Sequence, residues 1–209
     1  DLPGHGPDPH VPATMDEAVD RTVELIDELD PEVLLGYSMG GRVALRAILR
    51  RPVPLAVLVS STPGLAGSGA RAKRAAADDD LAGRIESDGL ESFVDEWVEL
   101  PMFAGLAHRG AVWRERDREL RLANTAAGVA ASLRGMGQGV TVPLGDAELS
   151  AIETPVLCLA GATDPHYAAE AERMALAIDH ASALVHPTSG HNVVGEDPGW
   201  VAIHIRRSL

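Results

Sequence analysis

Three residue types at three places in this sequence could together move a proton. Ser38 sits in Gly36-Tyr37-Ser38-Met39-Gly40, a G-x-S-x-G pattern. A serine hydroxyl is a poor nucleophile or base until a neighbour takes its proton, so an imidazole and an orienting carboxylate should follow. Asp164, in Gly161-Ala162-Thr163-Asp164, and His191, in Ser189-Gly190-His191-Asn192, supply them in the order Ser, Asp, His. Taken singly, Asp164 reads as a helix cap or loop solvator and a lone histidine as a satisfied polar group. Jointly they point to a proton relay that could serve acyl transfer or proton abstraction. His186, Asp179 and Asp146 compete for the same roles. His186 would end a strand and Asp179 would sit late in a helix, so both are worse placed.

The elements that must position these groups can be read from spacing. Thr14-Met15-Asp16-Glu17 is a capping-box pattern. Apolar residues at Met15, Val19, Ile26 and Leu29, with Thr22 between, predict a helix over 15–29 that Pro31 ends. Short apolar runs at 33–36, 55–59, 156–160 and 183–185 suit buried strands, and helical spacing returns at 40–51, 168–178 and 197–207. Such alternation predicts a parallel sheet covered on both faces. Ser38, Asp164 and His191 would then all follow C-terminal strand ends, where open parallel sheets hold their chemistry. The motif glycines permit the strained strand-to-helix turn, which lifts Ser38 clear of the sheet. The Met39 N–H then points into an oxyanion site at a helix N-terminus.

Between about 62 and 148 the chain turns rich in Ala, Arg, Asp and Glu, with helical patches at 70–86, 89–99 and 111–133 and no strand. This block reads as an insertion between two strands. Gly135-Met136-Gly137-Gln138-Gly139 reads as a loop, Asp78-Asp79-Asp80 as a solvated run or helix start, and Arg114–Glu119 as a solvated helix face.

Composition narrows the partners. The 209 residues are 45% hydrophobic and 23% charged, which excludes a disordered tail or a small disulfide scaffold. A formal charge of −13 repels phosphate backbones, so nucleic acid is not expected as a partner. Any anionic ligand would have to be held by a local cluster of positive charge. The single cysteine, Cys158, lies in an apolar run, reads as buried packing, and fits a reducing, cytoplasmic setting. No apolar stretch approaches the ~20 residues of a membrane helix, and no signal peptide opens the chain. The first residue is Asp1, not Met, and the start reads as cut.

These features together resemble the α/β-hydrolase fold. More narrowly, the chain is similar to the 2-succinyl-6-hydroxy-2,4-cyclohexadiene-1-carboxylate synthases of menaquinone biosynthesis. The likeness runs through Asp1–Gly6, Gly36–Arg42, Thr62-Pro63-Gly64-Leu65, Trp97, Pro101-Met102-Phe103-Ala104, Ala131–Gly139 and Gly190-His191-Asn192. It implies a hydrolase core at 1–61 and 149–209 with a helical cap at 62–148, and a Ser38–Asp164–His191 triad. Arg42, Arg74 and Arg121 would bind substrate, with Tyr37 and Trp97 lining the pocket.

The implied substrate is a small molecule with three carboxylates, which guanidinium groups grip bidentately. The implied reaction removes a ring proton and expels pyruvate, with Ser38 as base and neither cofactor nor metal. An ester or carbon–carbon bond hydrolase on the same triad, or an inactive fragment, is the alternative. Such a sheet normally has eight strands, so four strands before Asp1, with the loop giving a second oxyanion donor, are expected to be missing from this chain. After Asp164 the chain reads Pro165-His166-Tyr167, where the family more often has a basic residue and then Phe.

Overall fold

The structure, a computed structural model, describes residues 1–6 and 13–209. In chain order its elements are α1 (Met15–Leu29), β1 (Val33–Tyr37), α2 (Met39–Arg50), β2 (Leu55–Val59), α3 (Ser68–Asp88) and α4 (Leu90–Val98). A 3₁₀ segment (Pro101–Arg109) follows, then α5 (Gly110–Leu122), α6 (Ala126–Met136), α7 (Asp146–Ser150) and β3 (Val156–Gly161). The chain continues with α8 (Pro165–Ala177), β4 (Ala181–His186), α9 (Val193–Glu196) and α10 (Pro198–Ser208).

The four strands form one parallel sheet in the order β1-β2-β3-β4. Val33 pairs with Leu55, Ala56 with Val156, and Val156 with Ala181. The continuous apolar runs of β2 and β3 are fully buried, as strands covered on both faces must be. Leu55, Val57, Val59, Leu157 and Leu159 build the core with Val193 and Val201. Cys158 is buried in β3, and the loss of hydration pushes its thiol up to about 12. β1 forms one edge of the sheet, and its Leu35 is exposed.

The chain divides into two compact units. One comprises residues 1–18, 64–101 and 109–143, the other 19–63, 102–108 and 144–209. The sheet lies wholly in the second. The first is helical, with α3 packed along α6.

Four expectations about the chain need correction. The predicted helix at 111–133 is two helices, because Thr125 leaves helical conformation and its hydroxyl caps α6 by accepting the Gly128 N–H at 3.0 Å. Gly135 and Met136 belong to α6 and are not loop. A side chain at Gly135 would collide with the Ala13 carbonyl, and one at Gly139 with the Ala75 backbone, so these glycines serve close packing. Asp78 is no solvated residue. It sits inside α3, is buried, and binds the Arg74 guanidinium at 2.8 Å. Leu29 faces solvent, and Ala18 takes the buried place on α1 instead.

Candidate active site

β1 runs straight into α2 through Ser38, whose backbone stands at φ 52°, ψ −110°. That left-handed φ is costly for a residue with a side chain, and serine is held there by its surroundings. Its N–H donates to the Val59 carbonyl of β2 at 2.8 Å, while its own carbonyl accepts the Gly41 and Arg42 N–H groups of α2. The Ser61 hydroxyl donates to the same carbonyl at 3.1 Å.

Two glycines make this turn possible, though not the two that flank the serine. A Cβ on Gly36 would lie 2.4 Å from the Gly40 carbonyl oxygen, and one on Gly41 would lie 2.5 Å from the Ser61 side chain. A Cβ on Gly40 would meet nothing within 4 Å among the described residues. Packing thus makes no demand for glycine at the second motif position, and Gly41, one residue later, carries the close approach.

Asp164 and His191 arrive from the ends of β3 and β4, and the two loops are latched together. The Thr163 N–H and hydroxyl both donate to the Ser189 carbonyl, at 3.0 and 2.9 Å. The Ala162 N–H donates to the His186 carbonyl at 2.9 Å. Gly161 allows this approach, since a Cβ there would lie 2.2 Å from the Ser189 oxygen.

The result is one hydrogen-bonded line. His191 Nδ1 lies 2.7 Å from Asp164 Oδ2, and Nε2 lies 3.0 Å from Ser38 Oγ. A carboxylate can only accept, so the Nδ1–H donates to it, which leaves Nε2 to accept the serine proton. The imidazole is buried at 2% exposure and the carboxylate retains 14%. The second Asp164 oxygen faces the Tyr167 N–H at 3.5 Å, capping α8. Asp164 is thus both the helix cap and the orienting carboxylate, two readings that its sequence context set against each other.

Aromatic rings enclose the imidazole. Tyr167 and Phe103 meet it edge-on at 4.5 and 6.1 Å between centroids, and Tyr37 lies tilted to it at 5.4 Å. Tyr37 was expected near the site, whereas Phe103 and Tyr167 had no assigned place there. The Pro-His-Tyr tripeptide after Asp164 was a usable signal for Tyr167. Met102 contributes its carbonyl, which accepts the His191 N–H at 3.2 Å.

Met39 opens α2 immediately after Ser38, at the helix end where backbone N–H groups have no intrahelical acceptor. Arg42 is buried in the first turn of the same helix. Arg74, Trp97 and Arg121 belong to the helical unit. There Arg74 pairs with Asp78, Arg121 with Asp117 at 2.8 Å, and Trp97 stacks obliquely on Phe93 at 5.3 Å. The rival residues have other work. His186 Nδ1 accepts the Ser189 N–H at 3.1 Å, which puts its proton on Nε2, 3.4 Å from Asp197. Asp179 lies in the turn after α8, not late in the helix, and lines a surface depression with Asp146 and Arg173. Among the described residues no cluster of His, Cys, Asp and Glu could hold a metal ion, and no helix is long and apolar enough to cross a membrane.

Comparison with known proteins adds relatives to this geometry. A family model described as the alpha/beta hydrolase family matches residues 1–203. A protein of Bacillus subtilis (strain 168), provisionally named 2-succinyl-6-hydroxy-2,4-cyclohexadiene-1-carboxylate synthase, is 36% identical over 184 residues, covering 86% of this chain and 67% of its own length. The synthase of that name from Salmonella typhimurium is 32% identical over 220 residues, covering all of this chain and 81% of the relative. Among solved structures, MenH from S. aureus superposes with a TM-score of 0.93 at 30% identity, over 100% of this chain and 81% of that one.

Proposed function

This chain belongs to the alpha/beta hydrolase family and is an enzyme of that superfamily, and we propose that it acts as a 2-succinyl-6-hydroxy-2,4-cyclohexadiene-1-carboxylate synthase, a lyase that eliminates pyruvate. The observation that carries the chemistry is the Ser38–His191–Asp164 line, with contacts of 3.0 and 2.7 Å. The choice of reaction is supported by the similarity to named synthases over most or all of the chain.

In this reading Ser38 Oγ takes a proton from a ring carbon of the cyclohexene substrate while passing its own proton to His191 Nε2. The electron pair released forms a ring double bond and breaks the carbon–oxygen bond to the departing three-carbon group. That group leaves as an enolate and gains a proton to become pyruvate, and the imidazolium gives up its proton to restore the site. Asp164 stabilises the imidazolium and fixes its tautomer. The buried, ring-enclosed imidazole favours this relay, because water is kept from its faces. The Met39 N–H, at the α2 N-terminus, would stabilise the negative charge that develops on oxygen.

The substrate's carboxylates would be held by Arg42, Arg74 and Arg121, with Tyr37 and Trp97 against the ring. In a protein of net charge −13, such placed cations are what an anionic ligand requires. The test compares pyruvate release with hydrolysis of a neutral p-nitrophenyl ester. Each Arg→Ala should weaken handling of the anionic substrate by about 1.5–3 kcal/mol, the value of a charge-assisted hydrogen bond, and leave the ester rate unchanged. Equal losses on both substrates would favour a carboxylesterase on the same three residues. Absence of pyruvate release from the unaltered protein would refute the lyase.

A further inference from the structure

One buried carboxylate near the site has no part in the relay. Glu196, the last residue of α9, is 5% exposed, and both of its oxygens face a single backbone group. The Gly190 N–H donates to Oε1 at 3.0 Å and to Oε2 at 3.1 Å. Gly190 immediately precedes His191, so this carboxylate grips the peptide that carries the imidazole. The next N–H, that of His191 itself, donates to the Met102 carbonyl at 3.2 Å.

The same carboxylate also fixes the segment that supplies Met102. A Cβ on Gly105 would lie 2.0 Å from Glu196 Oε2, so the 3₁₀ backbone is seated directly on the carboxylate. The His108 ring lies between two main-chain carbonyls, with Nδ1 against Gly105 and Nε2 3.1 Å from the Glu196 oxygen. Phe103, between Met102 and Gly105, packs against the imidazole. Gly190 is closely packed as well, since a Cβ there would stand 3.0 Å from the Met102 oxygen and 3.3 Å from Glu196 Oε1. Three pieces of chain therefore meet on one carboxylate: the histidine loop, the Met102–His108 segment, and α9.

We propose that Glu196 is a positioning residue for the reaction, holding the Gly190–His191 peptide and the Met102–His108 segment together so that the imidazole stands in line between Ser38 and Asp164. The inference rests on the proton-relay role proposed above for His191. A buried ionisable side chain is costly to desolvate, and here its directed bonds go to the backbone of a single functional loop. A displacement of a reacting group by about 1 Å can cost 10²-fold in rate, so loosening this loop should act on turnover more than on binding.

The experiment uses the full chain with Glu196→Ala, Glu196→Gln and Gly105→Ala. Four quantities are read: kcat and KM for pyruvate release, the His191 Nδ1–H proton resonance in ¹⁵N-histidine-labelled protein, and the melting temperature. Glu196→Ala should lower kcat by about 10- to 100-fold with KM within about twofold, and shift or broaden the resonance. Glu196→Gln keeps an amide oxygen for the Gly190 N–H and should retain most of the turnover and the resonance. Gly105→Ala must displace the carboxylate and should move the resonance in the direction seen for Glu196→Ala.

A folded Glu196→Ala protein with unchanged kcat and resonance would overturn the proposal. Should Glu196→Ala fail to fold, an unchanged resonance in Gly105→Ala would overturn it instead. If Ser38→Ala keeps full turnover, the relay reading fails, while the resonance still decides whether Glu196 positions the imidazole.

Discussion

The helical unit and the surroundings of His191 place charge in opposite ways. In the helical unit, apart from the buried Asp78 with Arg74, guanidinium groups meet carboxylates mainly at the surface. Arg118 binds Glu91 and Asp95, and Arg134 binds Asp79 and Glu86. These contacts hold Arg118 and Arg134 above the ordinary guanidinium range and lower Asp95 and Glu86, chiefly through side-chain hydrogen bonds. Pairs of this kind are solvated and screened, and each contributes little. In the sheet-bearing unit His191 and Glu196 are buried, Ser38 and Asp164 are half-buried, and these groups are bound to backbone or to one another. Surface pairing tolerates change because water replaces a lost partner, whereas the buried arrangement fails when one member is removed. Charge density is thus a poor guide to consequence, and directed burial is a good one.

The sharpest test of that contrast removes one atom from the buried line. Ser38→Ala should reduce turnover by about 10⁴-fold or more, with little change in melting temperature, as with nucleophile or base deletions in serine enzymes. A residual rate close to the original would break the comparison at its centre. Gly36→Ala comes next. Its Cβ would stand 2.4 Å from the Gly40 oxygen, so it should cost about 1–3 kcal/mol by overpacking, while Gly40→Ala should be nearly neutral. Denaturant midpoints of the two variants give the answer, and equal losses would mean that the turn is not held as described.

Smaller still is a contrast within one acidic run of the helical unit. Asp78→Ala removes a buried carboxylate and its hydrogen bond with the half-exposed Arg74, so stability should fall by about 1–2 kcal/mol. Asp79→Ala removes an exposed one and should shift the melting temperature only slightly, an effect abolished by added salt.

The smallest effect is a pH dependence at Asp197. The Trp200 N–H, and secondarily His186, hold this carboxyl below its usual range. A lowered folded-state pKa stabilises the protein above the unfolded value, and that contribution disappears as pH falls through the folded value. The melting-temperature difference between the parent and Asp197→Asn should therefore be present at neutral pH and vanish in acid. A difference that grows in acid would reverse the sign.

Much of this architecture was legible because local and global preferences agree in it. The apolar runs of β2 and β3 read as buried strands since nothing but a covered parallel sheet tolerates them. Thr14 capping α1, with the Glu17 N–H donating to its hydroxyl at 3.2 Å, was visible in four residues. Ser38, Asp164 and His191 were findable because each follows a strand, a relation that sequence order preserves. Phe103, Met102 and Glu196 were not, since they reach the Gly190–His191 loop from segments with no periodic signal of their own. The 3₁₀ stretch at 101–109 contains Pro, Gly and scattered apolar residues, and its place is set by partners nearly 90 positions away. Asp78 was misread because an acidic triplet carries no mark of which member turns inward.

The position of Cys158 gives the molecule a property unrelated to its chemistry. Its thiol lies in β3, at the middle of the sheet, and burial pushes its pKa up to about 12. With only one cysteine in the chain, alkylating reagents have a single target, and that target reacts as thiolate only after the sheet opens. The rate of labelling in native buffer should therefore follow the opening of the core and not local fraying. The protein carries its own unfolding probe, usable without an introduced label and silent while the strands stay paired.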